Sequence, residues 1–173
     1  METKQVTGLM EDGGGSGGWY SSGWYVVNDD VMGGISQSRA TLTDFKTLLF
    51  SGTVSLENNG GFASIRHTAN TFGIGPGDGI MLRVRGDGKK YQLRVRTSNR
   101  FDGIAYKADF TTVRGEWQDL QFPWAVFAAT YRGRAIPDAP KLMGDQIVQV
   151  GFLIADAQAG MFDLEIAAIE PIR

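Results

Sequence analysis

Four arginines carry the strongest chemical signal in the chain. Ile80, Leu82 and Val84 alternate with Met81, Arg83 and Arg85, and Tyr91, Leu93 and Val95 alternate with Lys90, Gln92, Arg94 and Arg96. Period two marks half-buried strands. Between them lies Gly86-Asp87-Gly88-Lys89, and Asp-Gly is a favoured two-residue hairpin turn. A hairpin closed there sets Val84 opposite Tyr91, Leu82 opposite Leu93 and Ile80 opposite Val95. It also sets Arg85 opposite Lys90 and Arg83 opposite Gln92, with Arg94 and Arg96 further along the same outer face. Like charges directly opposed cost about 0.2–1 kcal/mol, so this ladder needs an explanation. One is pairing with acids on neighbouring strands, such as Asp109, Asp119, Asp163 or Glu165. The other is a basic sheet face that receives an anionic or hydroxyl-rich partner, for which the planar fork of arginine is suited.

Two further segments combine side chains that recognise partners. Trp24 to Ser36 packs aromatics, acids and glycines together, with Asn28, Asp29, Met32 and Ser36 as its candidate contact residues. It reads as a turn, because Asn and Asp bond their own backbone and Gly33-Gly34 supplies positive φ, or as a binding loop at the rim of a β-fold. Asp29 and Asp30 alone do not make a calcium site of six or more oxygens. The run Tyr131-Arg132-Gly133-Arg134 joins an aromatic to two arginines in a turn-prone stretch, a composition common in interaction hot spots. Tyr131, Arg132 and Arg134 are therefore candidates for contact with a protein partner.

Catalytic patterns are scarce. Cysteine is absent and His67 is the only histidine, which excludes thiolate chemistry and leaves a poor donor set for zinc. His67, after Arg66 at a strand end, reads as a surface or hydrogen-bonded structural residue. There is no G-x-S-x-G elbow, Walker A motif or EF-hand loop. Gly13, Gly15 and Gly18 match G-x-G-x-x-G formally, without the preceding strand and following helix that a dinucleotide site requires. With 19 acids in the chain, a carboxylate pair has no specificity. The expectation is a binding protein, not an enzyme, with no cofactor and no metal.

The elements that would position these residues are short strands. Besides the pair above, candidates are Phe50–Glu57, Phe62–His67, Ala105–Phe110, Gln118–Phe122, Val148–Ile154 and Phe162–Ile166. A short helical turn fits after Pro123. Glycine-rich turns separate the strands, and the chain holds 24 glycines, as suits an all-β sandwich or barrel. Residues 1–18 read as a flexible segment and 19–173 as one domain. A formal net charge of −2 gives no global pull toward nucleic acid. No apolar run reaches the roughly 20 residues of a membrane-spanning helix, and neither a signal peptide nor a transit peptide is apparent. A cytoplasmic location is expected.

Several motifs occur together in order: Asn28-Asp29-Asp30-Val31-Met32-Gly33-Gly34-Ile35-Ser36, Gly52 to Ser64 with Asn58-Asn59-Gly60-Gly61-Phe62, Gly86-Asp87-Gly88-Lys89-Lys90-Tyr91, Tyr106 to Phe110, Trp117, and Val150 to Asp156. In these the chain resembles the complex I intermediate-associated protein 30 (CIA30) family over roughly residues 19–170. The resemblance implies a galactose-binding-domain-like jelly-roll β-sandwich, akin to some carbohydrate-binding modules. It implies the chaperone-like role of mitochondrial members in assembling respiratory complex I, a membrane complex, and no catalytic residues. The compact chain, with no long N-terminal extension, looks like a bacterial-type member. The expected function is a protein-interaction or assembly factor. The alternative is a carbohydrate or small-ligand module that uses the basic sheet face.

Overall fold

The computed structural model describes residues 24–100 and 102–173. The segment 1–18 and its glycine match lie outside the described residues.

Among the described residues, twelve strands form two antiparallel sheets: β1 (Tyr25–Val26), β2 (Gln37–Leu42), β3 (Leu48–Val54), β4 (Ala63–Thr68), β5 (Gly79–Gly86), β6 (Lys90–Arg96), β7 (Ala105–Thr111), β8 (Trp117–Pro123), β9 (Ala128–Tyr131), β10 (Arg134–Ala135), β11 (Gln149–Ile154) and β12 (Gly160–Ile172). The seven-stranded sheet runs β1-β4-β11-β6-β7-β9-β10 and the five-stranded sheet runs β2-β3-β12-β5-β8. The fold is a jelly-roll β-sandwich. Every sequence-predicted strand is present, and a short 3-10 turn, Trp124–Val126, follows Pro123.

The inner faces make the core. Ile80, Leu82 and Val84 of one sheet and Tyr91, Leu93 and Val95 of the other are all fully buried, beside Phe50, Ile65 and Phe152. Each such side chain stabilises the fold by about 1.5–3 kcal/mol on burial. Aromatic rings join the two layers: Tyr91 of β6 meets Phe162 of β12 with centroids 6.4 Å apart, and Phe110 of β7 meets Phe122 of β8 at 5.8 Å.

The expected hairpin does not form. β5 pairs with β8 and β12, whereas β6 pairs with β7 and β11. The turn at Asp87-Gly88 instead carries the chain from one sheet to the other. Both arrangements bury the same alternating apolar residues, so alternation fits either. Only Gly88 takes positive φ, at 92°, where a type I′ turn needs it at both central positions. Asp87 is committed elsewhere. Its Oδ1 accepts from the Lys89 backbone N–H and the Tyr91 hydroxyl, and its Oδ2 accepts from the Asp163 backbone N–H on β12.

The split of β5 from β6 also splits the basic ladder. Arg83 and Arg85 lie on the outer face of the five-stranded sheet, and Arg94 and Arg96 lie on the outer face of the seven-stranded one. Arg85 is not opposite Lys90, nor Arg83 opposite Gln92. Their cross-strand partners are Trp117 and Asp119 on β8, with Glu165 of β12 on the other side of Arg85.

Candidate binding cleft

The outer face of the seven-stranded sheet is the floor of a cleft of about 790 Å³. Strand register arranges that floor in rows. One row runs Tyr25, Arg66, Gly151, Arg94, Lys107 across β1, β4, β11, β6 and β7. The row on one side holds Thr68, Gln149 and Arg96, and the row on the other holds Ser64, Leu153, Gln92 and Asp109. Arg66 and Arg94 thus flank a residue with no side chain. A Cβ at Gly151 would stand 2.4 Å from the Ile65 carbonyl oxygen of β4, so the strands here approach too closely for anything larger.

Walls rise around the floor. Met32 projects from the turn between β1 and β2 and is 58% exposed. Arg132 and Gly133 come from the β9–β10 turn, Asp102 and Gly103 from the β6–β7 connection, and Asp156 from the β11–β12 connection. These walls bury Gln92 and Arg96 although both sit on an outer face.

The charges on floor and rim are in different states. Asp102 pairs with Arg132. Asp156 pairs with Lys90, and Asp109 pairs with Lys90 and Lys107. Arg94 donates one hydrogen bond to Gln92 Oε1 at 3.0 Å, and Arg96 donates one to the Gly103 carbonyl at 2.8 Å. Among the described residues, neither has a carboxylate within ion-pair distance. Burial pulls both guanidinium pKa values down to about 10, and repulsion from Arg66 adds to each. Both remain protonated at neutral pH.

The other sequence candidates fall elsewhere. Arg83 donates from one nitrogen, Nη1, to both carboxylate oxygens of Asp119, each at 3.1 Å. Arg85 donates to Glu165 at 2.7 and 3.2 Å and lies over the Trp117 ring. The acids proposed from the sequence thus satisfy these two arginines. Asn28, Asp29 and Ser36 are buried and bonded within the protein. Asp29 accepts from the Ser36 N–H and hydroxyl and from the Gly61 and Phe62 N–H groups. Asn28 Oδ1 accepts from the Ser38 hydroxyl and the Ser64 N–H. These bonds tie the two longest sequence motifs together. Gly34 and Gly60 leave room for the carboxylate, since a Cβ at either would come within 2.6 Å of an Asp29 side-chain atom. Burial raises the Asp29 pKa, but hydrogen bonds from the Ser36 hydroxyl and the three N–H groups outweigh it and hold the carboxyl below its ordinary value. Tyr131 donates to Asp102 at 3.1 Å beside Arg132, whose guanidinium lies 5.3 Å from the Tyr131 ring. Arg134 is exposed on β10.

The cleft therefore unites Arg94, Arg96, Met32 and Arg132 of the sequence candidates. Gln92, which the alternation had placed on the same outer face, joins them, as do Arg66, Lys107 and Gln149, which had not been named as site candidates. One signal was available: Gly151 interrupts an otherwise apolar strand, which marks close approach of another backbone. His67 belongs to the core, 1% exposed, with its ring 5.1 Å from that of Trp24 and 5.2 Å from that of Phe72. Among the described residues, no group of three or more His, Asp or Glu converges as metal ligands would, and no helix is long and apolar enough to cross a membrane.

Comparison with known proteins adds three findings. The family model described as Complex I intermediate-associated protein 30 (CIA30) matches residues 18–166. An uncharacterized protein of Schizosaccharomyces pombe is 29% identical over 89% of this chain and 80% of its own length. A Mus musculus protein named Complex I intermediate-associated protein 30, mitochondrial, is 28% identical over 83% of this chain and 50% of its own length. A Neurospora crassa protein of the same name is 25% identical over 66% and 48%. The chain spans about half the length of these two mitochondrial relatives. Among solved structures, a family 11 carbohydrate-binding module of a Clostridium thermocellum cellulosomal cellulase aligns with TM-score 0.64 and 14% identity over 99% of this chain and 95% of that one. A family 11 module from the same organism, in complex with a β-1,3-1,4-mixed-linked tetrasaccharide, aligns with TM-score 0.61 and 15% identity over 93% of each chain. At these identities the likeness is one of fold.

Proposed function

Because this chain belongs to the complex I intermediate-associated protein 30 (CIA30) family, we propose that it is a non-catalytic binding module that holds a protein partner during assembly of a multisubunit membrane complex. The observation that carries this reading is the floor of the cleft. Among the described residues, Arg94 and Arg96 stand half-buried or buried with most of their donors uncommitted, while the acids on the rim are already paired. Charge held in a protein without a partner costs stability, and its retention fits a surface that is completed by another molecule.

Deletion of the gene in the native host tests the reading. Native gels should then show a respiratory complex I intermediate accumulating and the mature complex depleted, with recovery on re-expression. Normal levels of the mature complex in the deletion strain would refute it.

A second reading rests on the fold. The tetrasaccharide-bound module has the same sandwich, and a lining of arginine, glutamine and serine offers donors to hydroxyl groups. Fold likeness alone is a weak warrant for function. An aromatic platform would favour sugar; among the described aromatics on or beside this floor, Phe152 is fully buried, Phe62 is half-buried and Tyr25 is exposed. Binding of a neutral β-glucan to the isolated protein would establish this reading.

A further inference from the structure

We infer that the cleft takes an extended, acidic segment of a partner polypeptide, with carboxylates at alternate residues meeting Arg94 and Arg96. This deepens the proposed function and rests on it.

Two observations converge. Arg94 and Arg96 are two residues apart on one strand, so their anchor points are about 6.6 Å apart. An extended peptide lying along β6 repeats its side chains on one face at that same spacing. Acidic residues at positions i and i+2 therefore meet both guanidinium groups without distortion, and planar carboxylates suit arginine's paired donors.

The second observation is the charge balance. The rim acids Asp102 and Asp156 are engaged by Arg132 and Lys90, and Lys107 is engaged by Asp109. Among the described residues, Arg94 and Arg96 on the floor are left without a carboxylate within ion-pair distance, and Arg66 stands in the same row as Arg94. An anion is therefore the complementary occupant, and the half-buried setting of Arg94 and the buried one of Arg96 strengthen the attraction.

The test is fluorescence anisotropy on the full chain with a labelled peptide of alternating Glu and Thr. Three further probes are a peptide with Gln for every Glu, one with the same glutamates in a consecutive block, and inorganic phosphate or polygalacturonate as competitors. The alternating peptide should bind, weaken with added salt, and lose about tenfold or more in affinity in each of Arg94→Gln and Arg96→Gln. Arg83→Gln, on the opposite sheet, should bind as the parent does, and thermal melts should show all variants folded. Equal binding of the Gln peptide or the block peptide, no binding of the alternating peptide, or binding of phosphate or polygalacturonate alone would overturn the inference. The two readings fail separately. Rescue of the deletion strain by the Arg94→Gln/Arg96→Gln double variant removes the acidic segment and leaves the assembly role. Peptide binding together with normal complex assembly in the deletion strain does the reverse.

Discussion

The Tyr91 hydroxyl donates to Asp87 Oδ1 at 2.9 Å, so the residue at the start of the crossing between sheets is bound to a core residue at its end. The same hydroxyl reaches the Asp163 carbonyl on β12 at 3.0 Å, and Asp87 Oδ2 accepts the Asp163 N–H. Three segments are thereby clamped by one carboxylate and one phenol. Asp87→Ala leaves the Lys89 and Asp163 N–H groups short of an acceptor, while the Tyr91 hydroxyl keeps the Asp163 carbonyl, and it should cost about 2–3 kcal/mol in urea unfolding. Tyr91→Phe keeps the ring and should cost about 1 kcal/mol.

Asp29 should make the protein acid-sensitive. Its folded carboxyl is the stronger acid, so its stabilisation is complete at pH values above the ordinary 3.8 and is lost as the pH falls through the lower folded value. Asp29→Asn cannot accept from all four donors and should lose about 2–4 kcal/mol at neutral pH. The gap between variant and parent should narrow near pH 3, read from urea midpoints at the two pH values.

Two arginines that looked alike in the sequence should respond in opposite directions. Arg94→Met removes a buried charge that faces Arg66 and should raise stability by about 1 kcal/mol, a gain of a few degrees in Tm. Arg85→Met leaves buried Glu165 with only the Thr47 hydroxyl and forfeits the stack on Trp117. It should lower stability by about 1–2 kcal/mol. Calorimetry of the pair would decide, and the same sign for both would refute the placement of Arg94.

Gly151→Ala should destabilise by about 2 kcal/mol, since the added methyl meets the backbone of β4 and one strand has to move. Gly33→Ala has open space around it and carries only the penalty of its positive φ, about 1 kcal/mol. Thermal unfolding should rank them in that order.

These contrasts show what alternation can and cannot say. It identified the inward side chains of β5 and β6 correctly, because burial requires only that apolar residues share a face. It could not say which sheet receives each strand, because an arch and a hairpin bury the same residues. β2 was missed for a different reason: it is an edge strand with a single buried residue, Ala40, and exposed or half-buried neighbours, so no apolar rhythm is left to read. β9 likewise buries only Thr130. In the cleft, Arg94 and Arg96 were legible as outward arginines. Arg66 and Lys107 were not, because they become their neighbours only through β11 and β7, and that depends on strand order.

The strand order also sets the timing of folding. β11 lies between β4 and β6, and β12 lies between β3 and β5, so each sheet is two separate halves until the last stretch of chain is inserted. A ribosome-bound chain ending before Gln149 has neither a continuous cleft floor nor a closed core. Its two half-sheets expose unpaired edges at both seams. Such a chain gains its native pairing only after β11 and β12 have been made, through contacts of long sequence separation that form slowly. The floor of the cleft is thus finished by β11, long after the strands on either side of it have been made.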